Sequence, residues 1–155
     1  VEQEAIKIAQ SVIEKLEMVG LLAVEFFLTE DDTLLINEIA PRPHNSGHHT
    51  IECCRVSQFE QHLRAILNLP LGDTTQTRAG AMINLVGEKG HEGPVLYKGL
   101  EDVMRIPGVY PHLYGKQLTK PFRKMGHITV TGDSLEEVRE KAQKVMREVQ
   151  VLSIH

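Results

Sequence analysis

Leu21-Leu-Ala-Val-Glu25-Phe-Phe-Leu28, then Thr29-Glu-Asp-Asp-Thr33, then Leu34-Leu-Ile-Asn-Glu38-Ile39 is the stretch on which the reading of this chain turns. Two apolar runs separated by a short polar interruption predict a β-hairpin. A carboxylate inside the first run would cost several kcal/mol if it pointed unpaired into a core. With a two- or four-residue loop about Asp31-Asp32, Glu25 falls directly opposite Glu38 on one face, with Cβ atoms about 4.5–5.5 Å apart. A three- or five-residue loop breaks that register. Opposed like charges destabilise a sheet unless a cation lies between them, and hard oxygen donors suit Mg²⁺ with its remaining positions left to water and phosphates. The plain alternative is that Glu25 faces solvent or pairs with an arginine.

Outward from the hairpin, Ala5, Ile6, Ala9, Val12, Ile13 and Leu16 recur at helical spacing ahead of Gly20, predicting a helix over Glu2 to Met18. After it comes the loop Ala40-Pro-Arg-Pro-His-Asn-Ser-Gly-His-His49, whose prolines stiffen the backbone beside a permissive Gly47. Ser57 with Glu60 three residues on caps a helix to Leu67, and Gly72 marks a boundary. Ala79 to Val86, Gly108 to Tyr114 and His127 to Thr131 read as strands, Gly87 to Pro94 as a turn and Leu100 to Arg105 as a short helix. Ser134-Leu-Glu-Glu137 is a capping box opening a helix to Val149. The fold class is α+β: a first part over 1–72 and a small β-rich domain over 73–155.

Among the 155 residues, 41% are hydrophobic and 25% charged, as in globular domains, and the net charge of −4 leaves no basic stripe for nucleic acid. The two adjacent cysteines, Cys53 and Cys54, build neither a disulfide framework nor a zinc knuckle, which fits a reducing cytoplasm. No apolar run approaches the roughly 18 residues of a membrane span. The chain opens without methionine inside a helical pattern and reads as a piece of a longer protein.

Ile36-Asn-Glu-Ile-Ala-Pro-Arg-Pro-His-Asn-Ser-Gly-His-His-Thr-Ile-Glu52, preceded by Gly20-Leu-Leu-Ala-Val-Glu-Phe-Phe27 and followed by Ser57-Gln-Phe-Glu-Gln-His-Leu-Arg-Ala-Ile-Leu-Asn-Leu-Pro-Leu-Gly72, resembles the N5-carboxyaminoimidazole ribonucleotide synthases of the ATP-grasp superfamily. The resemblance extends to Tyr114-Gly-Lys116 and Arg123 to Val130. It implies the carboxyl-terminal part of an ATP-grasp domain followed by a small barrel/sandwich hybrid. The activity implied is carboxylation of 5-aminoimidazole ribonucleotide with ATP and bicarbonate in purine biosynthesis, in a cytoplasmic homodimer. Carried over by residue, it implies Glu25 and Glu38 on Mg²⁺, Asn37 and Glu38 at the ATP phosphates, and Asn45, Lys116, Arg123 and Lys124 on substrate. The lysines that hold the α- and β-phosphates and the adenine hinge have no counterpart here, so the chain alone is expected to be inactive.

Other readings compete. His44, His48, His49 and Glu52 contain imidazoles that suit zinc or nickel, though the spacing matches no familiar ligand set. Gly87, Gly90 and Gly93 lack the Lys-Ser/Thr of a P-loop and read as turn glycines. Without the resemblance, Lys116, Arg123 and Lys124 are solvated charges, and His62, His112 and His127 are ordinary structural histidines. The formate-using glycinamide ribonucleotide transformylases share the carboxylate pair, but His-Asp-Thr-Gly is expected there where this chain has His44-Asn-Ser-Gly47. A non-catalytic docking or dimerisation module is the alternative of another class.

Overall fold

The computed structural model describes residues 1–154, arranged as two compact units. One comprises residues 1–51 and 55–75; the other comprises residues 52–54 and those from 76 onward.

In the first unit, helix α1 (Glu2–Lys15) carries Glu2 and Glu4 in its first turn and Lys15 in its last, matching the helix dipole at both ends. Strands β1 (Ala23–Leu28) and β2 (Leu34–Ala40) form a two-stranded antiparallel sheet. A short 3₁₀ turn at Asn45–Gly47 follows, inside the segment expected to be plain loop. Helix α2 (Thr50–Cys53) runs across the division between the units. Helix α3 (Gln58–Ile66) is capped as expected, the Ser57 hydroxyl accepting from the Glu60 N–H. Its His62 Nδ1 accepts the Leu21 N–H at 3.0 Å, and Gly20, at φ +123°, passes so close that a Cβ would lie 2.9 Å from the His62 ring. His62 thereby fixes where the chain enters β1.

The second unit contains β3 (Ala79–Val86), β4 (Gly93–Lys98), α4 (Leu100–Val103), β5 (Val109–Leu113), β6 (Leu118–Thr119), β7 (Lys124–Gly132), α5 (Leu135–Glu148) and β8 (Gln150–Ser153). Its strands make two three-stranded antiparallel sheets, ordered β3-β7-β5 and β6-β4-β8. Strand β7 is buried over almost its whole length, and Met125, Ile128 and Val130 meet Val145 and Val149 from the α5 end in one core with Leu85, Val103, Val109 and Val151. The Ser134 hydroxyl accepts from the Glu137 N–H, and Glu137 Oε2 in turn accepts the Asp133 N–H at 2.8 Å, so the α5 cap is satisfied reciprocally.

Three strands lay outside the sequence expectation: β4, β6 and β8. The segment read as a turn to Pro94 becomes strand at Gly93, because Val95 to Lys98 pair with the distant Gln150–Ser153. Strand β7 also starts earlier than expected, at Lys124.

Candidate functional site

The β1–β2 loop is Thr29–Thr33, five residues rather than two or four. Thr29 and Thr33 close it through backbone and hydroxyl bonds, Asp31 accepts from both hydroxyls, and Asp32 takes φ +60°. On the turn side this register pairs Leu28 with Leu34, Phe27 with Leu35 and Phe26 with Ile36. Continued unbroken, it would set Glu25 against Asn37. Instead a β-bulge between Glu25 and Phe26 leaves Asn37 as the extra residue, and Glu25 pairs with Glu38. The expected opposition is present, with a different cause: the odd loop displaces the register by one residue and the bulge restores it.

Around this pair, Asn37 Nδ2 reaches Glu25 Oε2 at 3.5 Å and His44 Nε2 lies 3.4 Å from Glu25 Oε1. One donor atom from each of Glu25, Glu38 and His44 falls within 4.8 Å of the others. Among the described residues this is the one such group with cation-binding geometry.

His44 is placed by Gln58, a residue whose importance the sequence reading missed. The buried Gln58 amide accepts the His44 N–H at 2.9 Å and donates to the His44 carbonyl at 2.8 Å. It also contacts His48 Nδ1 at 2.9 Å. Gly47 lies against it, since a Cβ there would sit 2.5 Å from Gln58 Oε1. On the ring itself, Nδ1 accepts from the Ser46 N–H at 3.4 Å and contacts the Ser46 hydroxyl at 2.9 Å. That leaves the ring proton on Nε2, so His44 donates to Glu25. It orients a carboxylate rather than offering a lone pair.

The other members of the histidine-rich stretch go elsewhere. His49 Nδ1 bonds the Ser46 carbonyl at 2.9 Å, and Glu52 meets His112 Nε2 at 2.7 Å. His44, His48, His49 and Glu52 therefore form no common ligand set. Asn45 begins the 3₁₀ turn, and its carbonyl accepts from the His48 N–H at 3.2 Å.

In the second unit, Lys116 Nζ donates to the Lys124 carbonyl at 2.6 Å and stands 5.8 Å from the centre of the Tyr114 ring. Arg123 Nη1 donates to the Leu118 carbonyl at 3.0 Å, leaving most of its five donors for other partners. The turn before Arg123 is docked on Gly87: Phe122 N–H donates to the Gly87 carbonyl at 2.8 Å, and Gly87 N–H to the Arg123 carbonyl at 2.9 Å. A Cβ on Gly87 would overlap the Lys120 carbonyl. Gly87 is thus a close-approach glycine, while Gly90, at φ +86°, lies in the following turn and Gly93, at φ +138°, opens β4.

A short hairpin presenting paired acidic residues, followed by a histidine loop strapped to a helix, defines a class. Residues 1–59 match the ATP-grasp domain. Residues 80–141 match the phosphoribosylaminoimidazole carboxylase C-terminal domain, and the two segments together are similar to part of the N5-carboxyaminoimidazole ribonucleotide synthases. The synthase of Bacillus subtilis is 48% identical over 132 residues, covering 83% of this chain and 32% of that protein. The crystal structure of the Thermotoga maritima enzyme superposes with a TM-score of 0.93 at 51% identity, covering 98% of this chain and 42% of that one. The Aspergillus clavatus synthase in complex with ADP and 5-aminoimidazole ribonucleotide gives 0.82 at 38% identity, covering 94% and 39%. The chain therefore spans about a third to two-fifths of these relatives.

Proposed function

We propose that this chain supplies the metal-binding carboxylates and part of the substrate pocket of an ATP- and bicarbonate-dependent ligase that converts 5-aminoimidazole ribonucleotide to its N5-carboxy derivative. The observation that carries the reading is the opposition of Glu25 and Glu38 across the bulge at Asn37. Two hard carboxylates side by side fit Mg²⁺, which binds through one or two carboxylates and substrate phosphates. Glu25 and Glu38 would hold the ion, whose chemistry is to neutralise charge on a nucleotide's β- and γ-phosphates. Asn37, in the bulge between them, is positioned to donate to a phosphate oxygen, and His44 keeps Glu25 aligned.

In the reaction, a bicarbonate oxygen attacks the γ-phosphorus of ATP and the bond to ADP breaks, giving carboxyphosphate. The exocyclic amine of the ribonucleotide then attacks the carboxyl carbon, phosphate leaves and the amine loses a proton. Protein groups act by positioning and by charge. Asn45 would contact the reacting end of the substrate, and Lys116, Arg123 and Lys124 its ribose phosphate, for which a guanidinium fork and ammonium charges are suited. The complete enzyme as a cytoplasmic homodimer, and a domain division at residues 72/73, belong to the same proposal.

The experiment is steady-state carboxylation by the full-length synthase carrying these residues, with bicarbonate and formate as rival one-carbon donors. Glu25→Gln and Glu38→Gln should each abolish bicarbonate-dependent ADP release with the ribonucleotide. Unchanged turnover in either variant, or preference for formate, would overturn the assignment.

A further inference from the structure

Next to Lys116 the second unit holds a run of ring contacts that none of the proposed chemistry uses. The Tyr114 hydroxyl is 3.0 Å from His127 Nδ1. Burial pushes the Tyr114 phenol up from its ordinary pKa, so the hydroxyl keeps its proton while it is hydrogen bonded to that nitrogen. The His127 ring is buried and stacks on His112, with ring centres 4.5 Å apart and planes 14° from parallel. His112 and His127 are direct cross-strand partners on β5 and β7, so the stack is fixed by register. His112 is in turn held by Glu52 at 2.7 Å. Tyr114 is also tied by its backbone N–H to the Met125 carbonyl at 3.0 Å.

The Lys116 ammonium stands 5.8 Å from the centre of the Tyr114 ring. A cation over an aromatic face within about 6 Å is attracted by the ring's quadrupole. Lys116 therefore has two restraints, the Lys124 carbonyl and the Tyr114 face. A lysine side chain otherwise loses much rotamer freedom on binding an anion, a cost that prior ordering reduces.

We propose that Tyr114, set in place by its hydroxyl bond to His127, is a positioning residue that pre-orders Lys116 for a phosphate monoester. The inference rests on Lys116 being a substrate-phosphate ligand. Tyr114 touches no reacting atom and acts only through the lysine.

The test is a double-mutant cycle in the full-length synthase, reading KM for 5-aminoimidazole ribonucleotide and kcat separately. Lys116→Ala should raise KM about tenfold or more, as expected for loss of a charge-assisted contact. Tyr114→Phe keeps the ring but removes its hydroxyl bond to His127, and should raise KM about two- to fivefold with kcat little changed. Tyr114→Leu, which removes the ring face, should raise it further. In the Lys116→Ala background both tyrosine variants should have no added effect, because the residue through which they act is gone.

A tyrosine effect that persists undiminished beside Lys116→Ala marks a general structural role and overturns the inference. So does a silent Tyr114→Phe beside a damaging Lys116→Ala, which leaves the phosphate assignment standing. A silent Lys116→Ala overturns both.

Discussion

Glu38 stands opposite Glu25 because Asn37 is accommodated as an extra residue in β2, cancelling the one-residue displacement made by the five-residue loop Thr29–Thr33. Two irregularities compensate, and the residue that makes the second lies between the carboxylate and the loop, its own amide 3.5 Å from Glu25. A bulge aims side chains that a regular strand would send to opposite faces.

Neutralising one member of the pair should relieve repulsion and remove a cation site together. In the absence of divalent ion, Glu38→Gln should leave the chain equally stable or up to about 1 kcal/mol more stable, as for like charges opposed on a sheet. Millimolar Mg²⁺ should raise the melting temperature of the unsubstituted chain and not of Glu25→Gln or Glu38→Gln, by ligand linkage. Equal Mg²⁺ responses in all three would remove these residues from metal binding.

Gln58→Ala should destabilise the chain by about 2 kcal/mol, because the His44 N–H and carbonyl both lose their partner in a part-buried setting. Urea denaturation measures this. The same variant in the full-length enzyme should lower kcat, since His44 no longer holds Glu25. Gly47→Ala should resemble it, as the added methyl displaces the Gln58 amide.

Glu137 has its pKa lowered from the usual 4.5, first by the side-chain bond from Lys141 and then by the Asp133 N–H. A depressed folded-state pKa gives stability that is present above the unfolded value and lost as pH falls through the folded one. Unfolding followed from pH 7 downward should show Glu137→Gln less stable than the parent at neutrality, with the difference shrinking below about pH 4.5. A constant gap across that range would mean that the charge contributes nothing.

Ile128 is fully buried in the centre of β7, between the β3 and β5 partners Ile83 and Pro111. Ile128→Ala should cost about 2–5 kcal/mol through lost burial and a residual cavity. Chemical denaturation is the measurement, and a loss under about 1 kcal/mol would show that the core collapses to fill the space.

What could be read from sequence follows the range over which each signal acts. Helices α3 and α5 announce themselves because Ser57 and Ser134 satisfy amides only three residues away. The carboxylate pairing was legible too, though for an incorrect loop length: apolar patterning bounds strands but does not count turn residues or reveal a bulge. Strands β4 and β8 were invisible because each exists through the other, some fifty residues apart. Gln58 offered no pattern, since a polar residue in the first turn of a helix ordinarily faces water. Its role arises only when the loop closes over it. His112 and His127 look like isolated imidazoles until antiparallel register makes them neighbours.

Phe27, Leu28, Leu35, Ile36 and Ile39 all remain exposed on the two strands that carry the acidic pair. Two-stranded sheets are marginal in water by themselves. The residues with the strictest geometric task therefore sit on the least insulated backbone of the first unit, and amide protons of β1 and β2 should exchange with solvent far sooner than those of β7. Alignment of Glu25 with Glu38 is thereby a matter of occupancy as well as of distance: whatever shields those apolar side chains increases the fraction of time the pair is set to receive a cation.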